Sequence, residues 1–244
     1  DPFWARTTAD QLGLELDFCE EVHIGGCSAT GRVARAAAAI DAGLCTTAML
    51  LFADTGVAES NRRDRNYRRE WTDPCGLLGP PGAFGLLSRR YEHQYGLDYE
   101  MLGKLAVTQR SHAVMNENAC EKLRKPISIA DYMNSRMIAD PIRLLDCVMR
   151  CDAASGLLMT SQRRAKEKGI AKFVNPIGYA ERTNFRGGEN FVDVTRSGHE
   201  VAGKRAFAQA GLAPKDIVSF HPYDDFIIAI MLQLEALGFC ERGQ

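Results

Sequence analysis

The sequence predicts a layered α/β fold, and three observations carry that prediction. Stretches with apolar residues at helical spacing alternate with short, continuously apolar runs of strand length. The 244 residues suffice to bury a substantial core, as one large domain or as two compact halves. Two strand-to-helix junctions, "GGCSATG" and "HPYDDF", punctuate the pattern where layered α/β proteins concentrate binding and chemistry.

Taken in order, "DPFWARTTADQLGLELDF" reads as a helix already in progress, so sequence is expected to precede it. "EVHIGG" is predicted as a short strand and glycine turn, followed by an alanine-rich helix that stops near Gly43. "TTAMLLFAD" is too apolar to alternate between core and water and predicts a buried strand. From Thr55 to about Ser135 the character changes to an excursion with arginines, "CGLLGPPGAFG" and helices over Phe84 to Tyr95 and Tyr99 to Asn116, as in an inserted lid. The alternation then resumes with "ASGLLMTS" as strand, "QRRAKEKG" as a short exposed helix and "AKFVNPIGYA" as strand. "RSGHEVAGKRAFAQAGL" follows as helix and "DIVSF" as strand. The last helix carries Phe226, Ile230, Leu234 and Leu237 on one stripe.

With 30 basic and 31 acidic residues the formal net charge is -1, which argues against nucleic acid as a partner. The one arginine-rich stretch, "NRRDRNYRRE", is broken by acids and reads as a solvated loop or as a contact for a small anionic group. Eight cysteines contain no CxxC pair, so a reduced, cytoplasmic chain is expected. Cys147 and Cys151 lack the further ligands of a zinc set, and no metal is expected. No run approaches the roughly twenty apolar residues of a membrane span, and no cleavable leader opens the chain.

At the first junction Gly25 and Gly26 let the backbone turn sharply, and free amides at a helix start favour an oxyanion or a thioester carbonyl. Cys27 is there either a nucleophile, its thiolate favoured by those amides, or a small residue beside a tight turn. At the second junction Asp224 is placed to cap the helix. His221 and Tyr223 lie two apart and share a face if the strand persists. The Tyr223 hydroxyl suits proton exchange with an alcohol or enolate oxygen, or else fills a loop gap.

"GGCSATGRVARAAAAIDAGL", "RRYEHQYGLDYEMLGKLAVTQRSHAVMNENA", "SRMIADPIRLLDC", "AGLAPKDIVSF" and "YDDFIIAIMLQLEALGFCERGQ" together resemble the thiolase superfamily, in its sterol-carrier and lipid-transfer branch. The resemblance implies a five-layer αβαβα thiolase fold of two similar halves with an inserted loop domain. It assigns 1–55 to the N-terminal half, 56–138 to the loop domain, 139–168 to the end of the N-terminal half and 169–244 to the C-terminal half. It also implies further sequence at both ends, including a glycine-rich region with a catalytic histidine.

Carried over by position, the thiolase pattern is altered at both junctions. Counting back from Ile40, the acylated cysteine of thiolases falls on Gly26, with Cys27 displaced by one residue. One step at a helix start swings a side chain by about 100°. The histidine of the "HDxF" element falls on Tyr223, followed by matching Asp224 and Phe226. "DAASG" at 152–156 departs from the usual "DGAxA", which implies altered loop flexibility. A glycine pair with "YDxF" resembles thiolase-like retro-aldolases of steroid side-chain degradation, which split a β-hydroxyacyl-CoA into a ketone and a shorter acyl-CoA. The resemblance makes Tyr223 the acid or base, gives the thioester oxygen to the Gly26 and Cys27 amides, and places Asp224 with the catalytic set. His112, His221 and Phe226 are its substrate contacts, although His112 also reads as a structural histidine and His199 as a surface residue. Coenzyme A enters only as part of the substrate, with no covalently bound cofactor. A homodimer and a small OB-fold and zinc-ribbon partner are implied as well. Two alternatives stand beside this one: an acyltransferase using Cys27, and a non-catalytic acyl-CoA-binding subunit.

Overall fold

A computed structural model describes residues 3–57, 69–77, 79–183 and 193–244. Most of the arginine-rich stretch, Asn61 to Arg68, lies outside the described residues. In chain order the elements are α1 (Trp4–Gln11), α2 (Ser28–Asp41), β1 (Thr47–Thr55), α3 (Arg69–Thr72), α4 (Pro80–Tyr95), α5 (Tyr99–Met115), α6 (Ile129–Met133), β2 (Met137–Ala139), β3 (Ile142–Arg143), β4 (Asp152–Thr160), α7 (Gln162–Glu167), α8 (His199–Ala210) and α9 (Ile227–Leu237). Their contacts group into two units, Asp1–Asn61 with Arg150–Thr183, and Arg62–Met149 with Asn184–Gln244.

The first unit is built on β1 and β4, which pair antiparallel from Thr47↔Thr160 to Thr55↔Asp152. Helix α2 packs on both strands. Arg32 on α2 ties the layers: Nη1 donates to the Leu51 carbonyl at 2.7 Å, and the guanidinium lies 5.1 Å from the Phe52 ring centre. Arg35, one turn on, forms a 3.0 Å ion pair with Glu181 and anchors the segment after α7.

In the second unit one apolar core gathers Tyr91 from α4, Leu102 and Ala106 from α5, Tyr132 from α6, Ile142 from β3, and Phe226 with Ile227, Ile228, Ile230 and Leu232. Helix α9 is buried on more than the predicted stripe, because "FIIAIML" is apolar on every face and finds neighbours all around. Tyr132 is fully buried, and its hydroxyl donates to Asp146 Oδ1 at 2.6 Å.

Several expectations are corrected. Strand β1 is not buried throughout: Leu50 is its one buried residue, and Met49 and Leu51 are exposed. A wholly apolar strand needs a layer on each face, and the described residues supply α2 on one. "EVHI" forms no strand beyond an isolated bridge between Ile24 and Gly26. "AKFVNPIGYA" and "DIVSF" form no strand, and Val218 is wholly exposed. Apolar strand-like runs become strands only where a neighbour presents a matching row of backbone groups. "DAASG" is part of β4, so it is not a loop.

Candidate active site

The first junction is set by glycine geometry. Gly25 has φ of +76°, a left-handed conformation that turns the chain into α2 without strain. The Ser28 hydroxyl donates to the Gly25 carbonyl at 2.6 Å and accepts from the Ile24 N–H at 3.0 Å, which locks the turn. Gly31 lets Ile24 close on the helix, since a Cβ there would lie 2.6 Å from Ile24 Cδ1. Cys27 is the N-cap of α2, and its exposed thiol donates to the Ile24 carbonyl at 3.2 Å. The first-turn N–H groups of a helix have no intrahelical acceptor and carry the positive end of its dipole. The start of α2 borders a shallow recess of about 390 Å³ lined by Gly26, Ser28, Ala29, Arg32, Phe52 and Asp54 among others. Gly26 lines this recess and Cys27 does not, so the recess meets backbone and a guanidinium in place of a thiol.

The second junction belongs to the other unit. Tyr223 is exposed to 47%, yet its backbone is held from behind by a buried side chain of α9. Gln233 Oε1 accepts the Tyr223 N–H at 3.1 Å, and Nε2 donates to the Tyr223 carbonyl at 2.6 Å and to the Ala229 carbonyl at 3.0 Å. The amide thus stands where a strand neighbour would, and among the described residues this segment has none. Burial holds the Asp225 carboxyl above the ordinary aspartate range, an effect that the nearby Tyr223 side chain opposes. The Asp225 carbonyl accepts from the Val148 N–H at 2.9 Å, and Phe226 bridges to Cys147, so the segment is fixed on this side too.

The remaining sequence-predicted residues fall as follows. Asp224 does not cap α9; the N-cap position is Phe226, and Asp224 instead accepts from Gln109 of α5 at 3.3 Å. The chain takes two further residues to reach helical geometry, which carries Asp224 out of capping range. Phe226, expected against substrate, is 4% exposed and stacks on Phe84 at 4.2 Å between ring centres, so it packs the core. His221 is exposed and pairs with Ser219 at 2.8 Å, and the strand that was to align it with Tyr223 is absent. His112 is exposed on α5, one turn beyond Gln109, and His199 is exposed at the start of α8. Gly26 and Cys27 therefore belong to one unit, and Tyr223, Asp224, His221, Phe226 and His112 to the other. Sequence reasoning missed Gln233. A lone glutamine inside the apolar helix "FIIAIMLQLEALGF" was the available signal, because a buried amide needs partners.

Among the described residues, no group of His, Cys, Asp or Glu is arranged to hold a metal ion, and no helix is long and apolar enough to cross a membrane.

Comparison with known proteins bears directly on this arrangement. Residues 181–244 match the thiolase C-terminal domain-like family. The chain is 32% identical to a steroid side-chain-cleaving aldolase of Thermomonospora curvata, over 94% of this chain and 62% of that protein. It is 31% identical to the 17-hydroxy-3-oxo-4-pregnene-20-carboxyl-CoA lyase of Mycobacterium tuberculosis, over 94% of this chain and 63% of that protein. Among solved structures, the Ltp2-ChsH2(DUF35) aldolase superposes with a TM-score of 0.81 at 31% identity, covering 96% of this chain and 63% of that one. A monomeric SCP2-thiolase-like protein of Mycobacterium smegmatis superposes with a TM-score of 0.75 at 20% identity, covering 98% of this chain and 52% of that one, which speaks to fold alone. The chain spans under two thirds of the length of each of these four proteins. It is thus thiolase-like in fold and, over most of its own length, similar in sequence to thiolase-superfamily proteins of the steroid side-chain-cleaving kind.

Proposed function

We propose that the protein cleaves a β-hydroxyacyl-CoA of steroid side-chain type by a retro-aldol reaction, releasing a ketone and a shorter acyl-CoA. The observation that carries this reading is Tyr223, a phenol where the related thiolase type has histidine, with its backbone clamped by a buried amide. The names of the two curated relatives, an aldolase and a CoA lyase, support the same reaction class. Tyr223 serves the β-hydroxyl, taking its proton as the carbon–carbon bond breaks. The N–H groups of Gly26 and Cys27 suit the thioester oxygen, on which negative charge grows in the enolate. Coenzyme A belongs to the substrate, and no covalently bound cofactor takes part. A small partner protein accompanies the reaction, as the related Ltp2-ChsH2(DUF35) aldolase suggests. The protein is further taken to self-associate and to work in the cytoplasm, where its eight unpaired cysteines would stay reduced.

The test uses the full natural chain with its co-encoded partner, a β-hydroxyacyl-CoA steroid thioester, and mass spectrometry of products and protein. The expected result is ketone and shorter acyl-CoA with no protein adduct, and a loss of about 10²-fold or more in Tyr223→Phe. Wild-type rates in Tyr223→Phe refute the reading. An acyl adduct on Cys27 makes the protein an acyltransferase, and tight acyl-CoA binding without turnover makes it a non-catalytic subunit.

A further inference from the structure

Arg32 lines the recess beside the start of α2 and has no part in the mechanism above. Its guanidinium is held by three contacts. Nη1 donates to the Leu51 carbonyl at 2.7 Å, Nη2 donates to the Val22 carbonyl at 3.3 Å, and the group lies 5.1 Å from the Phe52 ring centre. None of these partners carries a charge, and two carbonyls do not exhaust the donors of a guanidinium. Arg35, one turn on along the same helix, is by contrast paired with Glu181 at 3.0 Å and Glu20 at 3.9 Å. No ion pair among the described residues includes Arg32. Asp54 lines the same recess, but its carboxylate accepts the Thr55 N–H at 2.8 Å and does not pair with Arg32.

Arg32 therefore keeps a positive charge, fixed by carbonyls and a ring, on the wall of a cavity of about 390 Å³. The cavity includes Phe52 and Asp54 near the carboxyl end of β1, where layered α/β folds place ligands. Gly26 lines it and Cys27 does not, so the recess offers a cation and no nucleophile. That suits the stabilisation of a negative charge better than the formation of an acyl bond.

We infer that Arg32 is a charge-stabilising residue, whose guanidinium meets the thioester oxygen as the enolate forms. The inference rests on the function proposed above. In that step the β-hydroxyl gives up its proton and the Cα–Cβ bond breaks. Its electron pair moves into the thioester, whose oxygen takes the enolate charge, and the β-carbon is left as the ketone. One proton then returns to the α-carbon, so no further reactant is consumed. The guanidinium neither gives nor takes a proton; it lowers the energy of the charge that grows beside it. A cation already held in place needs no reorganisation when that charge appears.

The experiment compares wild type, Tyr223→Phe, Arg32→Gln and Arg32→Lys in the full natural chain with its partner. Arg32→Gln keeps an N–H donor for the Leu51 carbonyl and removes the charge. Two coenzyme A analogues are titrated by calorimetry, with the thioester –S–CO–CH3 replaced by –CH2–COO⁻ or by the neutral –CH2–CO–NH2. Wild type should bind the carboxylate tighter than the carboxamide by about 10- to 100-fold, as hydrogen bonds to a charged group require. In Arg32→Gln that preference should shrink to within about 3-fold, and kcat should fall about 10²-fold with KM little changed. A purely structural role would weaken both analogues alike and leave their ratio unmoved. Arg32→Lys should keep part of the preference, because the charge stays and the planar fork is lost.

Wild-type preference and wild-type kcat in Arg32→Gln, beside an inactive Tyr223→Phe, overturn this inference and leave the proposed function standing. If wild type does not cleave the thioester, the function fails and the analogues alone decide: equal affinity for the two overturns the inference. If Arg32→Gln does not fold, Arg32→Lys takes its place, and an equal effect on both analogues overturns the inference.

Discussion

Replacing Gln233 with methionine tests whether a buried amide aims Tyr223. The substitution nearly conserves volume and removes three hydrogen bonds, to the Tyr223 N–H, the Tyr223 carbonyl and the Ala229 carbonyl. Each is worth about 0.5–1.5 kcal/mol net. The Ala229 carbonyl is already an intrahelical acceptor in its position on α9, so its loss weighs least. The two Tyr223 bonds weigh more, although the half-exposed residue can recover part of them from water. The sum is about 2 kcal/mol. Urea unfolding should show that loss as a lower midpoint at unchanged slope, since the surface exposed on unfolding is unaltered. Activity should fall further than stability, because a phenol displaced by about 1 Å loses on the order of 10²-fold in rate. The loss should appear in kcat with KM nearly unchanged. A Gln233→Met protein within about 0.5 kcal/mol of wild type and fully active would refute the idea that this amide holds the tyrosine.

Two further predictions concern the scaffold. Tyr132→Phe removes the donor to Asp146 Oδ1 and leaves the buried carboxylate with the Arg143 N–H at 2.7 Å; unfolding should show a loss of about 1–3 kcal/mol. Burial already holds the Asp146 carboxyl above its ordinary value, and the Tyr132 hydrogen bond opposes that, so the variant's Asp146 should titrate higher still by NMR. Gly31→Val drives a side chain onto Ile24 Cδ1, 2.6 Å from the first added carbon, and should cost about 1–3 kcal/mol by thermal unfolding. If Gly31→Val is as stable as wild type, the close packing of Ile24 on α2 is not what this glycine provides.

The sequence by itself determined the helices and both junctions. Helical periodicity located α4, α5, α8 and α9 to within a few residues, because an amphipathic or wholly apolar helix satisfies its own backbone and needs only a surface to lie on. The glycine pair before α2 and the tyrosine before α9 were visible as residues whose conformation or chemistry was out of place for plain turns. Strands were less legible. "AKFVNPIGYA" and "TTAMLLFAD" look alike in composition, yet only the second found a partner in β4, and that choice is made by residues about a hundred positions away. Capping was misjudged for a similar reason: Asp224 has the right chemistry for an N-cap, but the helix begins after Phe226, which is drawn into the core against Phe84. Only the tertiary structure placed Gln233 against the Tyr223 backbone and joined the Asp225 carbonyl to Val148. Sequence assigns a tyrosine its pattern position; whether that phenol can exchange protons depends on the buried groups that the fold brings behind it.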